Sequence, residues 1–431
     1  MLRLARTNSA VVIESTYAAA VLFALTQGPI YRIWSESVAV EGEVEIPNAI
    51  HVHFATFIVL QLPALALLAR RIDTKWLRNN GVRILCAFLG WLAICSMTST
   101  LARKSIPDFT ALLLTSVFGL YLARSFRLKA IWSIVTVATS AGVMVSTLAA
   151  YRLWDGAVNL QQDYWIGIYF NRNSLAPVAA MAIIGCFGVV TTFRWRKTPR
   201  SIVVAALLAI ALAYSIQALV QSRSRTSLAA LAVAAILAGM WSLTQWGIQR
   251  FLESSSVRRF SLPTLLLLFG FGVWASFYFL SGTSEIDREV TSFNSRSALW
   301  SQAWSGVLAK PVLGWGWLAA WHVREFWEQG QWWSVWGEND WSHSGYFDVM
   351  LGGGFPAAAL FLMFVLFSSH YLGLWSSLRD AVAQVLLLGF VLTAATQESF
   401  FVGSHFLWAL LIAVLLHDAS TNEHGTTEAS P

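Results

Sequence analysis

Few residues in this chain have side chains suited to chemistry, and most of them stand where an apolar run gives way to a short polar one. Gln221-Ser222-Arg223-Ser224-Arg225-Thr226-Ser227 separates two long apolar runs and has no acidic residue near in sequence. Arg223 and Arg225 either snorkel to lipid phosphates or grip the phosphate oxygens of a ligand, because a guanidinium presents a planar fork that meets two oxygens at once. Arg296 offers the same fork in Asn294-Ser295-Arg296-Ser297, with Glu285 or Glu289 as ordinary ion-pair partners. Arg172 lies in Phe170-Asn171-Arg172-Asn173-Ser174-Leu175-Ala176-Pro177. There Asn173 or Ser174 reads as a helix N-cap with Pro177 in the first turn.

His343 follows Glu338-Asn339-Asp340-Trp341-Ser342 and opens another apolar run. A histidine in that place is either a surface anchor or a general base. A carboxylate such as Asp340 would orient the imidazole and raise its basicity. Asp348 stands about a turn and a half further along, and Glu398 and His405 fall where two later runs meet. Gly352-Gly353-Gly354 reads as a close helix–helix contact. No GxxxxGK[ST] loop, HExxH pair or GxSxG elbow occurs. His51 and His53 are two residues apart, which points their rings to different helix faces. The three cysteines, Cys86, Cys95 and Cys186, sit inside apolar runs without ligand spacing. Neither a metal nor a cofactor is expected, and no nucleotide drives the chemistry directly.

The elements that must hold these residues are membrane helices. Only 12% of the 431 residues are charged, about half the usual share of a soluble domain. Aromatics reach 14%, including 22 Trp, a residue that favours the membrane–water boundary. So little charge also argues against a nucleic-acid partner. Twelve runs are long enough to be crossings, at about 10–26, 49–69, 82–99, 108–123, 130–151, 174–193, 201–220, 225–247, 262–280, 344–367, 381–397 and 400–416. The first carries Glu14, and no convincing cleavage site follows it, so a retained span is expected rather than a signal peptide. With the N-terminus inside, 18 of the 29 Lys and Arg residues fall in compact inner clusters, as the positive-inside rule requires.

The expected fold is therefore an all-α polytopic membrane protein of about twelve transmembrane helices, one integral membrane domain over 1–431 with a cytoplasmic tail at 418–431. The loop at 281–342, between the ninth and tenth spans, falls outside. It is too rich in tryptophan for disorder, and Leu299, Trp300, Ala303, Trp304, Val307 and Leu308 recur in it at helical spacing. Pro311 and Gly314-Trp315-Gly316 end that run. The pattern predicts an amphipathic helix lying on the outer membrane face, followed by a sharp turn.

Taken in order, these motifs resemble the O-antigen ligase and exopolysaccharide polymerase superfamily of bacterial inner-membrane glycosyltransferases. His343-Ser344, nine residues from Gly345 to Gly353, and then Gly354 fit its histidine motif, with Ala357 where Gly, Thr or Tyr is more usual. Lys310-Pro311-Val312-Leu313-Gly314-Trp315-Gly316 resembles its Pro-hydrophobic-Gly-x-Gly turn, Ser224-Arg225-Thr226 its Ser-Arg motif, and Asn171 to Ala176 its Asn-Ser-Leu segment. The resemblance runs from about 165 to 405.

It implies metal-independent transfer of a glycan from an undecaprenyl-diphosphate carrier to a lipid- or glycan-linked acceptor, with inversion, on the periplasmic face of the inner membrane. His343 would be the base, and Arg225 and Arg296 would stabilise the departing diphosphate. Arg223, Arg172, Asn173, Asp340 and Glu398 would contact substrate. Ligase and polymerase share this chemistry. A transporter or flippase of a lipid-linked saccharide is the reading from another class. Charges clustered on one face argue against it, and Asp348 inside a span argues for it.

Overall fold

The computed structural model describes residues 8–30, 47–152, 154, 156–193, 195–251, 262, 264–266, 292–324, 326, 342–375 and 378–417. Helices coincide with eleven of the twelve apolar runs. They are α1 (Asn8–Leu25), α2 (Pro47–Ala69), α4 (Asn80–Met97), α5 (Ala102–Ser125), α6 (Leu128–Tyr151), α7 (Arg172–Thr192), α8 (Pro199–Gln221), α9 (Arg225–Phe251), α11 (Gly345–Trp375), α12 (Leu378–Ala394) and α13 (Phe406–Leu415), with a single turn, α3 (Thr74–Leu77), after α2. The ninth run lies outside the described residues except at its start.

Seven of these helices are long and apolar enough to cross a bilayer, and four further apolar helices are shorter. Mostly helical, the chain has the build of an all-α membrane protein. Along α8, Ile202, Val203, Leu207 and Ile210 are exposed, as are Ile236, Met240 and Leu243 of α9. Soluble proteins rarely expose so much contiguous apolar surface. Inside the bundle, α6 packs on α7, α9 on α12, α4 on α11 and α5 on α13. Buried hydroxyls such as Thr115, Ser116, Thr136 and Thr139 donate back to the carbonyl four residues earlier, which satisfies them where no water reaches.

Glu14, the charge that weakened the first run as a span, is held by Arg71. The guanidinium donates to both carboxylate oxygens at 2.6 and 2.7 Å, donates to Ser125 as well, and lies 5.6 Å over the Tyr121 ring. Arg124 pairs with Asp73 beside it. These contacts tie α1, the α2–α3 turn and α5 together at one end of the bundle, the end opposite the candidate site.

Two expected spans are corrected. The last, 400–416, is helical only over Phe406–Leu415, ten residues or about 15 Å, half a bilayer core. Ser404 before it takes a left-handed backbone, φ 61°. Its N–H donates to Thr115 Oγ1 at 2.9 Å and its carbonyl accepts from Gln27 Nε2 at 3.3 Å. Irregular backbone survives in a bundle only when the protein satisfies it in this way.

The second correction concerns α11, expected to be continuous over 344–367. It is broken at Gly353 and Gly354, where φ reaches 67° at Gly354. The Pro311–Gly316 turn docks into that break. Trp315 N–H donates to Leu351 O at 2.7 Å, Phe355 N–H to Pro311 O at 2.8 Å, and Trp91 Nε1 to Gly353 O at 2.8 Å. A Cβ on Gly314 would stand 2.4 Å from Leu351 O, so only glycine allows the approach.

The helix expected before that turn is α10 (Ser292–Ala309). Its apolar stripe is divided. Trp300, Ala303 and Val307 are buried, the latter two in a cluster with Trp315, Trp321, Phe326 and Leu351, while Trp304 and Leu308 stay exposed. The helix thus lies against the protein on one side and keeps an apolar edge outward, rather than resting on a membrane surface with its whole apolar face.

Candidate active site

The residues that start α7 do not act as the sequence suggests. Asn171, not Asn173 or Ser174, is the N-cap, accepting from Ser174 N–H at 2.9 Å. With the cap supplied two residues earlier, the Asn173 amide is free to reach other segments. Its Nδ2 donates to Glu398 Oε1 at 2.9 Å, and its Oδ1 accepts from Ser224 Oγ at 3.0 Å. Glu398 turns its other oxygen, Oε2, to within 3.6 Å of His343 Nδ1. Ser224, Asn173, Glu398 and His343 therefore form one polar chain across four segments that are far apart in sequence.

Local backbone geometry places each member. Ser224 is buried in the tight turn between α8 and α9, where Arg223 takes φ 50°. Glu398 is in the turn after α12. That turn is bonded to the start of α11, because Gly345 N–H donates to Ala395 O at 2.9 Å and to Glu398 O at 3.1 Å. Tyr346 OH reaches Leu392 O at 2.8 Å and anchors the same two helices. His343 takes φ 52° immediately before α11, with its side chain one-third exposed at 33%.

The arginines divide. Arg223 pairs with Asp163 at 2.6 Å and donates to Gln162 O at 3.2 Å. Arg172 stacks 4.7 Å over the Tyr164 ring. Both partners belong to the two-stranded hairpin of β1 (Val158–Asn159) and β2 (Tyr164–Trp165) and the loop joining its strands. Arg225, the first residue of α9, is exposed, and its guanidinium makes no hydrogen bond, ion pair or ring contact among the described residues. A guanidinium at the positive end of a helix is unfavourable by itself and favourable beside an anion. Arg296 is in the second turn of α10, but its side chain lies outside the described residues, as does Asp340 altogether.

His405 stands apart from this chain of residues. It caps α13, its Nδ1 accepting from Leu407 N–H at 3.3 Å, and its ring stacks on Phe400 and Phe406 at 5.0 Å. Among the described residues no three of His, Cys, Asp and Glu gather as a cation site. Sequence reasoning passed over Ser224 as a hydrogen-bonding residue, and Asp163 and Tyr164 as arginine partners. Nothing in local spacing signals the contacts of Ser224 and Asp163, made fifty to sixty residues away.

Residues 210–362 match the family model described as O-antigen ligase. That stretch supports the resemblance to the O-antigen ligase and polymerase superfamily. No curated protein matches the chain. The matched stretch holds Ser224, Arg225, the Pro311–Gly316 turn, His343 and the break at Gly354. Asn173 and Glu398 lie outside it and are brought in by α7 and the turn after α12. The match and the apolar helices together support, at a coarse level, a multi-pass membrane enzyme of glycosyltransferase type.

Proposed function

We propose that this enzyme moves a glycan from an undecaprenyl-diphosphate carrier to a sugar hydroxyl on a lipid- or glycan-linked acceptor, at the periplasmic face of the bacterial inner membrane. The observation that carries this reading is the Ser224–Asn173–Glu398–His343 chain. It sets the histidine of the family motif against a carboxylate that is itself held from behind by an amide. With Nδ1 turned towards Glu398, Nε2 is the atom that would take the proton. The 3.6 Å separation is long for a hydrogen bond, as catalytic contacts often are before substrate tightens them.

The acceptor oxygen attacks the anomeric carbon and the carbon–oxygen bond to the diphosphate breaks. The hydroxyl proton passes to His343, and the bonding electrons leave with the diphosphate. One in-line displacement inverts the anomeric centre. A diphosphate leaves with little protonation, so cations rather than an acid are needed at the leaving side. Arg225, at a helix N-terminus and without an ion-pair partner among the described residues, meets that need, and Arg296 is the second candidate fork. Arginine forks can hold a diphosphate without a metal. The proposal includes cytoplasmic termini and a periplasmic 281–342.

Arg225 should act in ground and transition states alike, so Arg225→Ala should weaken binding of the lipid-diphosphate donor as well as turnover, with Lys a partial rescue. His343→Ala should leave donor binding within a few-fold of wild type and cut turnover by about two orders of magnitude or more. Loss of donor binding in His343→Ala, with turnover at saturation unchanged, would overturn the base assignment. The acceptor is read from the surface glycan of a deletion strain. Unattached polymer identifies a ligase, single repeat units identify a polymerase, and carrier-linked units trapped inside the cell identify a flippase and reject this reading.

A further inference from the structure

We propose that Asp348 is a positioning residue for His343, acting through Ser342 to hold the histidine's backbone in its left-handed conformation. This rests on the reading of His343 as the base. Asp348 is one turn into α11, and only 2% of it is exposed. A carboxylate buried in a membrane helix is costly and calls for a reason. Its Oδ1 accepts from Ser342 N–H at 3.0 Å and stands 2.7 Å from Ser342 Oγ. That hydroxyl has one proton and two acceptors at 2.7 Å, Asp348 Oδ1 and Ser344 O, and it also accepts from Ser344 N–H at 3.1 Å. The backbone N–H of Ser342 is directed to Asp348.

The consequence falls on the residue in between. Ser342 and Ser344 are both buried, at 0% and 4% exposure, so the chain tucks in before and after His343 and the histidine alone is turned outward. A non-glycine residue keeps φ near 52° only when its neighbours leave no alternative. The Ser342–Asp348 bonds fix one side of that turn. The bonds from Gly345 N–H to Ala395 O and Glu398 O fix the other. The imidazole is thereby held opposite Glu398. Engaged in this way, Asp348 has a local task in the enzyme reading and needs no transport role to explain it.

The test uses the full chain in nanodiscs, with a lipid-diphosphate-linked glycan as donor and its glycan acceptor. Asp348→Ala should lower kcat by about 10- to 100-fold, the range expected when a reacting group is misplaced by about an ångström. Its donor KM should stay within a few-fold of wild type. Asp348→Asn keeps an Oδ1 that accepts from Ser342, and should recover most of that loss. In a His343→Ala background, Asp348→Ala should cost nothing further, because it acts through the residue already removed. Should Asp348→Ala fail to fold, Ser342→Ala, which removes the hydroxyl but keeps the N–H, must show the same kcat loss in smaller measure.

Equal losses in Asp348→Ala and Asp348→Asn, or an additive loss on top of His343→Ala, overturn the proposal. A slow His343→Ala beside Asp348→Ala and Asp348→Asn at wild-type rate overturns this inference alone. A His343→Ala enzyme with wild-type turnover takes down the base assignment and this inference with it.

Discussion

Replacing Gly354 by alanine breaks the joint between the Pro311–Gly316 turn and α11, and the structure sets the size of the effect. At φ 67° and ψ −166° the residue occupies a region that is essentially glycine's alone, and strain there costs about 1–3 kcal/mol. The added Cβ would stand 2.3 Å from Val312 O and 2.4 Å from Pro311 O. Both are backbone atoms and cannot swing aside, so the turn must retreat. Its bonds from Phe355 N–H to Pro311 O and from Trp315 N–H to Leu351 O then go, at roughly 0.5–1.5 kcal/mol each. The total is about 2–6 kcal/mol of stability. At about 1 °C per kcal/mol for a chain of this length, apparent Tm should drop by at least about 2 °C. Tryptophan fluorescence during thermal unfolding in nanodiscs measures it. Gly239, inside α9 with nothing within 4 Å of an added Cβ, is the internal control. Its alanine variant should be stabilised by up to about 1 kcal/mol, because helical glycine is disfavoured. If Gly354→Ala melts together with wild type, the turn is not locked into the break and the reasoning fails.

Asn173→Ala removes both the donor to the Glu398 carboxylate and the acceptor of Ser224. A hydrogen bond to a charged group contributes roughly 1.5–3 kcal/mol, so turnover should fall at least tenfold, while Ser224→Ala, which loses one neutral bond, should fall less. A wild-type rate in a glycan-transfer assay of Asn173→Ala would remove the polar chain from the mechanism.

How much was legible in advance varies by element. The apolar runs gave the helices because burial and lipid exposure both select the same residues over about twenty positions. They also marked α10 and its stop, since Pro311 and two glycines within six residues leave a helix little choice. The break in α11 was hidden, because Gly352-Gly353-Gly354 suits a close helix contact as well as a break. What decides between them is the 311–316 turn, some forty residues earlier. The short α13 was hidden for the same reason. Residues 400–405 are apolar enough for a span, and only their contacts with Thr115 and Gln27 keep them irregular.

The sequence by itself determined the membrane class, the polar interruptions between spans, and His343, Arg225 and Glu398 as residues in need of a reason. Those follow from composition and local order, where hydrophobicity and helix geometry act within a few turns. Tertiary structure alone decided which of them meet. It drew Arg223 and Arg172 to the 158–165 hairpin and freed Asn173 by giving the cap to Asn171. It also set Glu398 between Asn173 and His343 and gave Asp348 the Ser342 turn to hold. Hydrogen bonds act over about 3 Å of space whatever the distance along the chain, so no local pattern records them.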